Sequence, residues 1–178
     1  MKKILILFLI LAGMFLFIFL FKSEIYRISV KPELTDNQKT ELYNLALRAK
    51  TNGDLPISSL LLNKKNIIGE GYNTVARDSD ICGHAEINAL KDAINKTGLN
   101  AFMKLERTEL KIISTLEPCE MCTGVLLHYN IRNVHFIKEK SLSIGLSSSY
   151  YEFRYQLNKK HISSPKLLDS LNKLHPDY

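Results

Sequence analysis

Residues 35–137 alternate between helical and strand-like hydrophobic patterns, and this alternation constrains the fold more than any other feature of the chain. Helical spacing of apolar residues predicts helices over 35–50 and 84–97, a third opening at Pro118 and a fourth after Ser164. Strand-like runs occupy 56–62, 67–71, 110–115 and 131–137. Strands that alternate with helices indicate a sheet covered on both faces. We therefore predict a three-layer α/β/α fold.

The composition supports a globular domain. The chain has 178 residues, of which 46% are hydrophobic and 24% charged, and this balance excludes disorder for most of its length. Three cysteines make a poor disulfide framework and a better metal or thiol site. Basic residues outnumber acidic ones after residue 131, and we predict a basic helical extension over 146–178. Its charge suits either a solvated surface or the attraction of phosphates.

The N-terminus carries an uncharged apolar run over residues 4–21. At about 1.5 Å per residue the run spans roughly 27 Å, close to the thickness of a hydrocarbon core. We predict an N-terminal membrane anchor at 1–21, a single transmembrane helix, followed by a linker at 22–34. A cleaved signal sequence and a buried helix remain alternatives. Flanking charges do not decide the orientation, and the secretory-like start favours an extracytoplasmic domain.

Two short motifs carry the chemistry: His-x-Glu at residues 84–86 and Pro-Cys-x-x-Cys at 118–122. Each is predicted to open a helix, where unpaired N–H groups favour a thiolate over a thiol. One imidazole and two thiolates give zinc three protein ligands and leave a fourth position open, as in catalytic sites. Alone, the Cys-x-x-Cys pair fits a redox pair, half of a zinc ribbon or two buried thiols. Its occurrence together with the His-x-Glu motif favours catalytic zinc, with Glu86 as general base.

Four strings of the sequence carry a family resemblance: IIGEGYN (67–73), HAEINAL (84–90), TLEPCEMC (115–122) and GVLLHYNI (124–131). They resemble the cytidine/deoxycytidylate deaminase superfamily, and most closely its bacterial tRNA adenosine deaminases and guanine deaminases. The resemblance covers residues 35–145, which we interpret as the deaminase domain. It implies a cytidine-deaminase-like fold with a mixed sheet.

The resemblance also implies roles for individual residues. Zinc (Zn²⁺) would be held by His84, Cys119 and Cys122, with Glu86 as the proton carrier. Substrate contacts would come from Asn73 and Ala85. Cys82 is interpreted as a small buried hydrophobe.

The implied reaction is zinc-dependent hydrolytic deamination of a base with release of ammonia, most closely that of adenosine to inosine in RNA, as in tRNA processing. A deaminase of a free base or nucleoside (guanine, cytosine or cytidine) is the alternative enzyme. An alternative of another class is a membrane-tethered, zinc-stabilised binding module without turnover. The predicted partners are the nucleoside, nucleobase or RNA substrate and the membrane, and a homodimer is left open. Ser58 and Ser59 depart from the family, because a Gly/Ala-type pair is usual at the first strand.

Overall fold

The computed structural model describes residues 33–139 and 158–175, together with residues 11, 13 and 14. The chain divides into two compact units, residues 1–31 and 32–178. In the second unit, the helices are α1 (Asp36–Thr51), α2 (Val75–Asp78), α3 (Ala85–Thr97), α4 (Leu99–Met103), α5 (Glu120–His128) and α6 (Pro165–Leu174). The strands are β1 (Ser58–Asn63), β2 (Asn66–Tyr72), β3 (Leu110–Leu116), β4 (Asn133–Lys138) and β5 (Asn158–His161).

The five strands form one mixed sheet in the order β2-β1-β3-β4-β5. Strand β1 pairs antiparallel with both β2 and β3, whereas β3, β4 and β5 run parallel. Parallel neighbours need a crossover connection, and α5 supplies it between β3 and β4. The predicted mixed sheet is therefore confirmed.

The central strands are buried on both faces. Leu60 and Leu62 of β1 join a core that includes residues of α1 and α6, while Leu61 between them joins a second core with residues of α3, α4 and α5. Because successive side chains of a strand point to opposite faces, this division places helices on both sides of the sheet. The three-layer α/β/α arrangement predicted from the sequence is the one observed.

The helix boundaries follow local signals with one correction. Thr35 and Gln38 form a capping box, which satisfies two backbone N–H groups at the start of α1. Pro118 does not open α5 as predicted, because Cys119 is the N-cap and the helix begins at Glu120. The β5 strand was not predicted, since its sequence NKKH lacks apolar alternation. It pairs as the outer neighbour of β4, where lysines are common.

The helix α3 lies unusually close to β2. A Cβ atom built on Gly71 would lie 2.2 Å from the carbonyl oxygen of Ala85, and one on Gly69 would lie 2.2 Å from that of Ala89. Ordinary contacts of this kind are 3.4 Å or longer, so only glycine fits at these two positions. The glycines of β2 thus fix how closely the start of α3 approaches the sheet.

The predicted membrane anchor requires correction. Within the part of the chain that the structure describes, no helix is long and apolar enough to cross a membrane. The membrane-anchored localisation is contradicted and is not retained, and the predicted transmembrane helix is not supported. The physical reason is that a run of about 18 residues lies near the lower limit for spanning, where length alone does not identify a membrane helix. Apart from residues 11, 13 and 14, which are helical, the run lies outside the described residues.

Candidate active site

The starts of two helices bring the motif residues together. His84 is the N-cap of α3, and Cys119 is the N-cap of α5, which follows β3. The loop before His84 is tied to α3 by Asn88, whose Nδ2 donates to the backbone oxygens of Tyr72 and Gly83. These two hydrogen bonds fix the loop that precedes His84 relative to α3.

The three predicted ligand side chains have separations that suit zinc. Nδ1 of His84 lies 3.6 Å from Sγ of Cys119 and 3.5 Å from Sγ of Cys122, and the three atoms lie within 4.8 Å of one another. A tetrahedral zinc ion, with Zn–N of about 2.0 Å and Zn–S of about 2.3 Å, requires N···S separations of roughly 3.6 Å. The residues present therefore fit the metal.

The protonation of Cys122 differs from the sequence expectation. A hydrogen bond with Cys119, burial and the neighbouring charge of Glu86 raise the pKa of the Cys122 thiol well above its ordinary value. Zinc binding would then release the thiol proton, because the thiolate is the form that binds the metal.

The carboxyl group of Glu86 is buried beside the three ligands, with a relative exposure of 5%. Its Oε1 accepts a hydrogen bond from the Ser114 hydroxyl at 3.1 Å, and its Oε2 accepts one from the Cys122 thiol at 3.5 Å. Burial raises the pKa of Glu86, although hydrogen bonds from its own backbone, Ser114 and Cys122 each act to lower it. A cation on the three ligands would oppose this rise, since it favours the carboxylate.

A cavity of about 600 Å³ opens beside Glu86 and is also lined by Asn73, Ala85 and Glu117. Its volume falls within the range of about 300–1,000 Å³ typical of small-molecule sites. Oδ1 of Asn73 accepts from the backbone N–H of Val75 at 3.0 Å. Ala85 is the first residue of α3, where a backbone N–H has no acceptor within the helix. All the residues predicted from the motifs thus lie at one site.

The sequence did not reveal two polar contributors. Asp54 is buried at the cavity and caps the short helix α2 by accepting from the backbone N–H groups of Ala76 and Arg77, at 2.7 and 3.3 Å. Ser114 was missed because a single hydroxyl in an apolar strand carries no motif. Cys82 is exposed, contrary to the prediction, because Asp80 closes a turn in which the thiol faces outward.

The family follows from comparison with known proteins. A family model described as the cytidine and deoxycytidylate deaminase zinc-binding region matches residues 35–138, more than half of the chain. The chain belongs to this family. As a member of the zinc-binding deaminases, it is a zinc-dependent hydrolytic deaminase, and the cofactor predicted from the sequence is confirmed.

Individual deaminases of the family show where the similarity extends. The tRNA-specific adenosine deaminase of Haemophilus influenzae is 31% identical over 131 residues, which cover 72% of this chain and 73% of that protein. The one of Buchnera aphidicola subsp. Schizaphis graminum is 38% identical over 92 residues, 51% of this chain and 57% of that protein. The guanine deaminase structure from Bacillus subtilis has a TM-score of 0.51 at 25% identity, covering 68% of this chain and 78% of that one.

Proposed function

We propose that this chain deaminates adenosine to inosine in RNA of the tRNA type. The proposal is carried by the placement of a buried carboxyl, Glu86, against three zinc-compatible ligands at the end of a cavity. The similarity to tRNA-specific adenosine deaminases supports adenosine in RNA as the substrate. We assign the activity to residues 35–145.

In this proposal, His84, Cys119 and Cys122 hold the metal. When bound there, zinc would lower the pKa of water to about 7 and so supply a nucleophile at neutral pH. The ligand atoms come from the starts of two helices, so their relative positions depend on how α3 and α5 sit on the sheet.

Glu86 acts as the proton carrier. Deamination consumes one water and releases one ammonia, so a proton must leave the water and reach the ring nitrogen beside the reacting carbon. The Oε2 atom of Glu86 is suited to this transfer because it lies on the side of the ligands, whereas Oε1 is bound by Ser114. A second proton transfer then converts the amine to a leaving group.

Asn73 and Ala85 are proposed to position the base. Because Oδ1 of Asn73 accepts from Val75, its Nδ2 is the group that remains to donate to a substrate oxygen or ring nitrogen. The backbone N–H of Ala85 is a second donor at the cavity wall. Two donors beside the proton carrier would orient a flat heterocycle with its amine toward the ligands.

A free base is the second candidate substrate. The similarity to a guanine deaminase structure favours it, and the cavity volume admits a free base as well as a nucleotide. The two candidates share the reaction and differ in what fills the outer part of the cavity. Only an assay of substrates can separate them.

The test is a substrate panel on the full-length, zinc-loaded protein. A tRNA transcript, adenosine, guanine, cytosine and cytidine are incubated separately, and ammonia release is measured together with inosine in the transcript. We expect inosine in the tRNA and little ammonia from the free compounds. Turnover of guanine alone would replace the proposed substrate by a free base, and the absence of ammonia from all of them would refute the proposed enzyme.

The Glu86→Gln variant is the matched control. It keeps the size and the hydrogen-bonding reach of the side chain but cannot carry the proton. We expect one zinc per chain as in the wild type, and turnover lower by about 10²–10⁴-fold, the usual contribution of general acid–base catalysis. Wild-type turnover in this variant would refute the role of Glu86.

A further inference from the structure

Hydroxyl side chains form a fully buried polar layer between β1 and β3. Ser58, Ser59, Ser114 and Thr115 all have a relative exposure of 0%. Polar groups buried in this way lower stability unless their hydrogen bonds are satisfied. Neighbouring side chains of a strand point to opposite faces, so Ser58 and Thr115 lie on the α1 side of the sheet and Ser59 and Ser114 on the α3 side. Four buried hydroxyls in strands that are otherwise largely apolar require an explanation beyond packing.

Two of these hydroxyls form a directed chain that ends on Glu86. The Ser59 hydroxyl donates to Oγ of Ser114 at 2.9 Å, and the Ser114 hydroxyl donates to Oε1 of Glu86 at 3.1 Å. A hydroxyl has one proton to donate. Because Ser59 occupies a lone pair of Ser114, the proton of Ser114 is directed to its acceptors, of which Glu86 is nearer than the Ser58 carbonyl at 3.4 Å.

The other two hydroxyls do not reach Glu86. Ser58 donates to the backbone oxygen of Leu42 at 2.7 Å, and Thr115 accepts from the backbone N–H of Ser58 at 3.0 Å. The layer is thus divided into a structural pair and a pair connected to the proton carrier. Ser58 can therefore serve as a comparison residue for Ser114, because the two side chains are equally buried.

We infer that Ser114, supported by Ser59, is a positioning residue that holds Oε1 of Glu86 and so directs Oε2 toward the metal ligands. A carboxylate bound through one oxygen cannot rotate freely, and a displacement of about 1 Å at a reacting group lowers rates by roughly 10²-fold. The inference rests on the proposed function for its kinetic consequence but not for the contact itself.

The contact is tested without substrate. The full-length, zinc-loaded protein is labelled with glutamate carrying ¹³C at the side-chain carboxyl, and the Glu86 resonance is assigned as the one lost in Glu86→Gln. We expect Ser114→Ala to move this resonance. Ser58→Ala removes a hydroxyl of the same size and burial and is expected to leave it in place. An unmoved resonance in Ser114→Ala, or an equal movement in both variants, would overturn the inference.

The kinetic consequence is tested on the same variants. We expect Ser114→Ala to lower kcat about 10- to 100-fold with KM and zinc content unchanged, the effect of losing a hydrogen bond to a charged group. Ser59→Ala should lower kcat by a smaller factor, and Ser58→Ala should retain kcat. Ser114→Thr, which restores the hydroxyl, should recover most of the loss. Loss of zinc in Ser114→Ala, or an unchanged kcat, would contradict a positioning role.

The two proposals fail differently. If the wild type deaminates no member of the substrate panel, the proposed function is refuted, while the Glu86 resonance still decides whether Ser114 holds the carboxyl. If the wild type is active and the Glu86 resonance does not move in Ser114→Ala, the proposed function is retained and the positioning role of Ser114 is refuted.

Discussion

Replacing Gly71 by alanine tests how the sheet sets the geometry of the metal ligands. The added Cβ would lie 2.2 Å from the carbonyl oxygen of Ala85 and 2.3 Å from the backbone nitrogen of Ala89. Both are backbone atoms of α3, so no side-chain rotation can relieve the overlap. The helix must therefore move away from β2.

The size of that movement follows from the contact distances. Restoring an ordinary contact of 3.4 Å requires a displacement of about 1.2 Å at the first turn of α3. Overpacking of this kind costs about 3 kcal/mol, which lowers the melting temperature of a chain of this size by roughly 6–12 °C. His84 precedes this turn directly, whereas Cys119 is the N-cap of α5 and Cys122 lies within that helix, so the N···S separations that suit zinc would change.

We expect Gly71→Ala to melt at a lower temperature, to bind zinc more weakly and to lose about 10²-fold in turnover. Thermal unfolding and metal analysis after gel filtration measure the first two. Gly124→Ala is the matched control, because Gly124 lies within α5 and an added Cβ meets nothing within 4 Å. It should keep its zinc and gain up to about 1 kcal/mol of helix stability. A Gly71→Ala variant with wild-type melting temperature and zinc content would refute the close-packing argument.

Two further predictions concern the metal and the dependence of stability on pH. Cys122→Ser should reduce zinc from one per chain to well below one, because a hydroxyl does not replace a thiolate ligand; a full equivalent of zinc by metal analysis would contradict the assignment. Burial, followed by the charges of Lys111 and Lys160, lowers the pKa of His135 to about 3. The unfolded chain, with an ordinary pKa near 6.5, then binds more protons than the folded one between these values, so stability is lost as the pH falls below about 6.5. We expect about 2 kcal/mol of loss from pH 7 to pH 5 by urea unfolding. His135→Leu should remove this component, and an unchanged slope in that variant would refute it.

The parts of the fold that the sequence predicted have local causes. The capping box at Thr35 and the spacing of Leu42 and Leu45 define α1 within a few turns of chain. The metal ligands were predictable for the same reason, since Cys119 and Cys122 are three residues apart at a helix start. Only the approach of His84 to them depends on the tertiary fold.

The parts that the sequence did not predict depend on distant partners. The hydroxyl of Ser114 acts on a residue 28 positions away and is supported by one 55 positions away, and no local pattern records such pairs. Strand β5 is polar and becomes a strand only because β4 offers it a parallel edge. The membrane anchor was predicted from the length and the uncharged, apolar character of residues 4–21, and no feature of the described residues supports it.

A segment that follows the family match lies against a residue within that match. The family match ends at residue 138, yet Lys159 of β5 forms a buried ion pair with Glu117, the residue before the Pro-Cys motif. His175, just after α6, lines the same cavity as Glu86. Ion pairs removed from water are sensitive to the loss of either partner. The chemistry of the site therefore belongs to the family, while His175, which lies beyond the family match, contributes to the cavity wall.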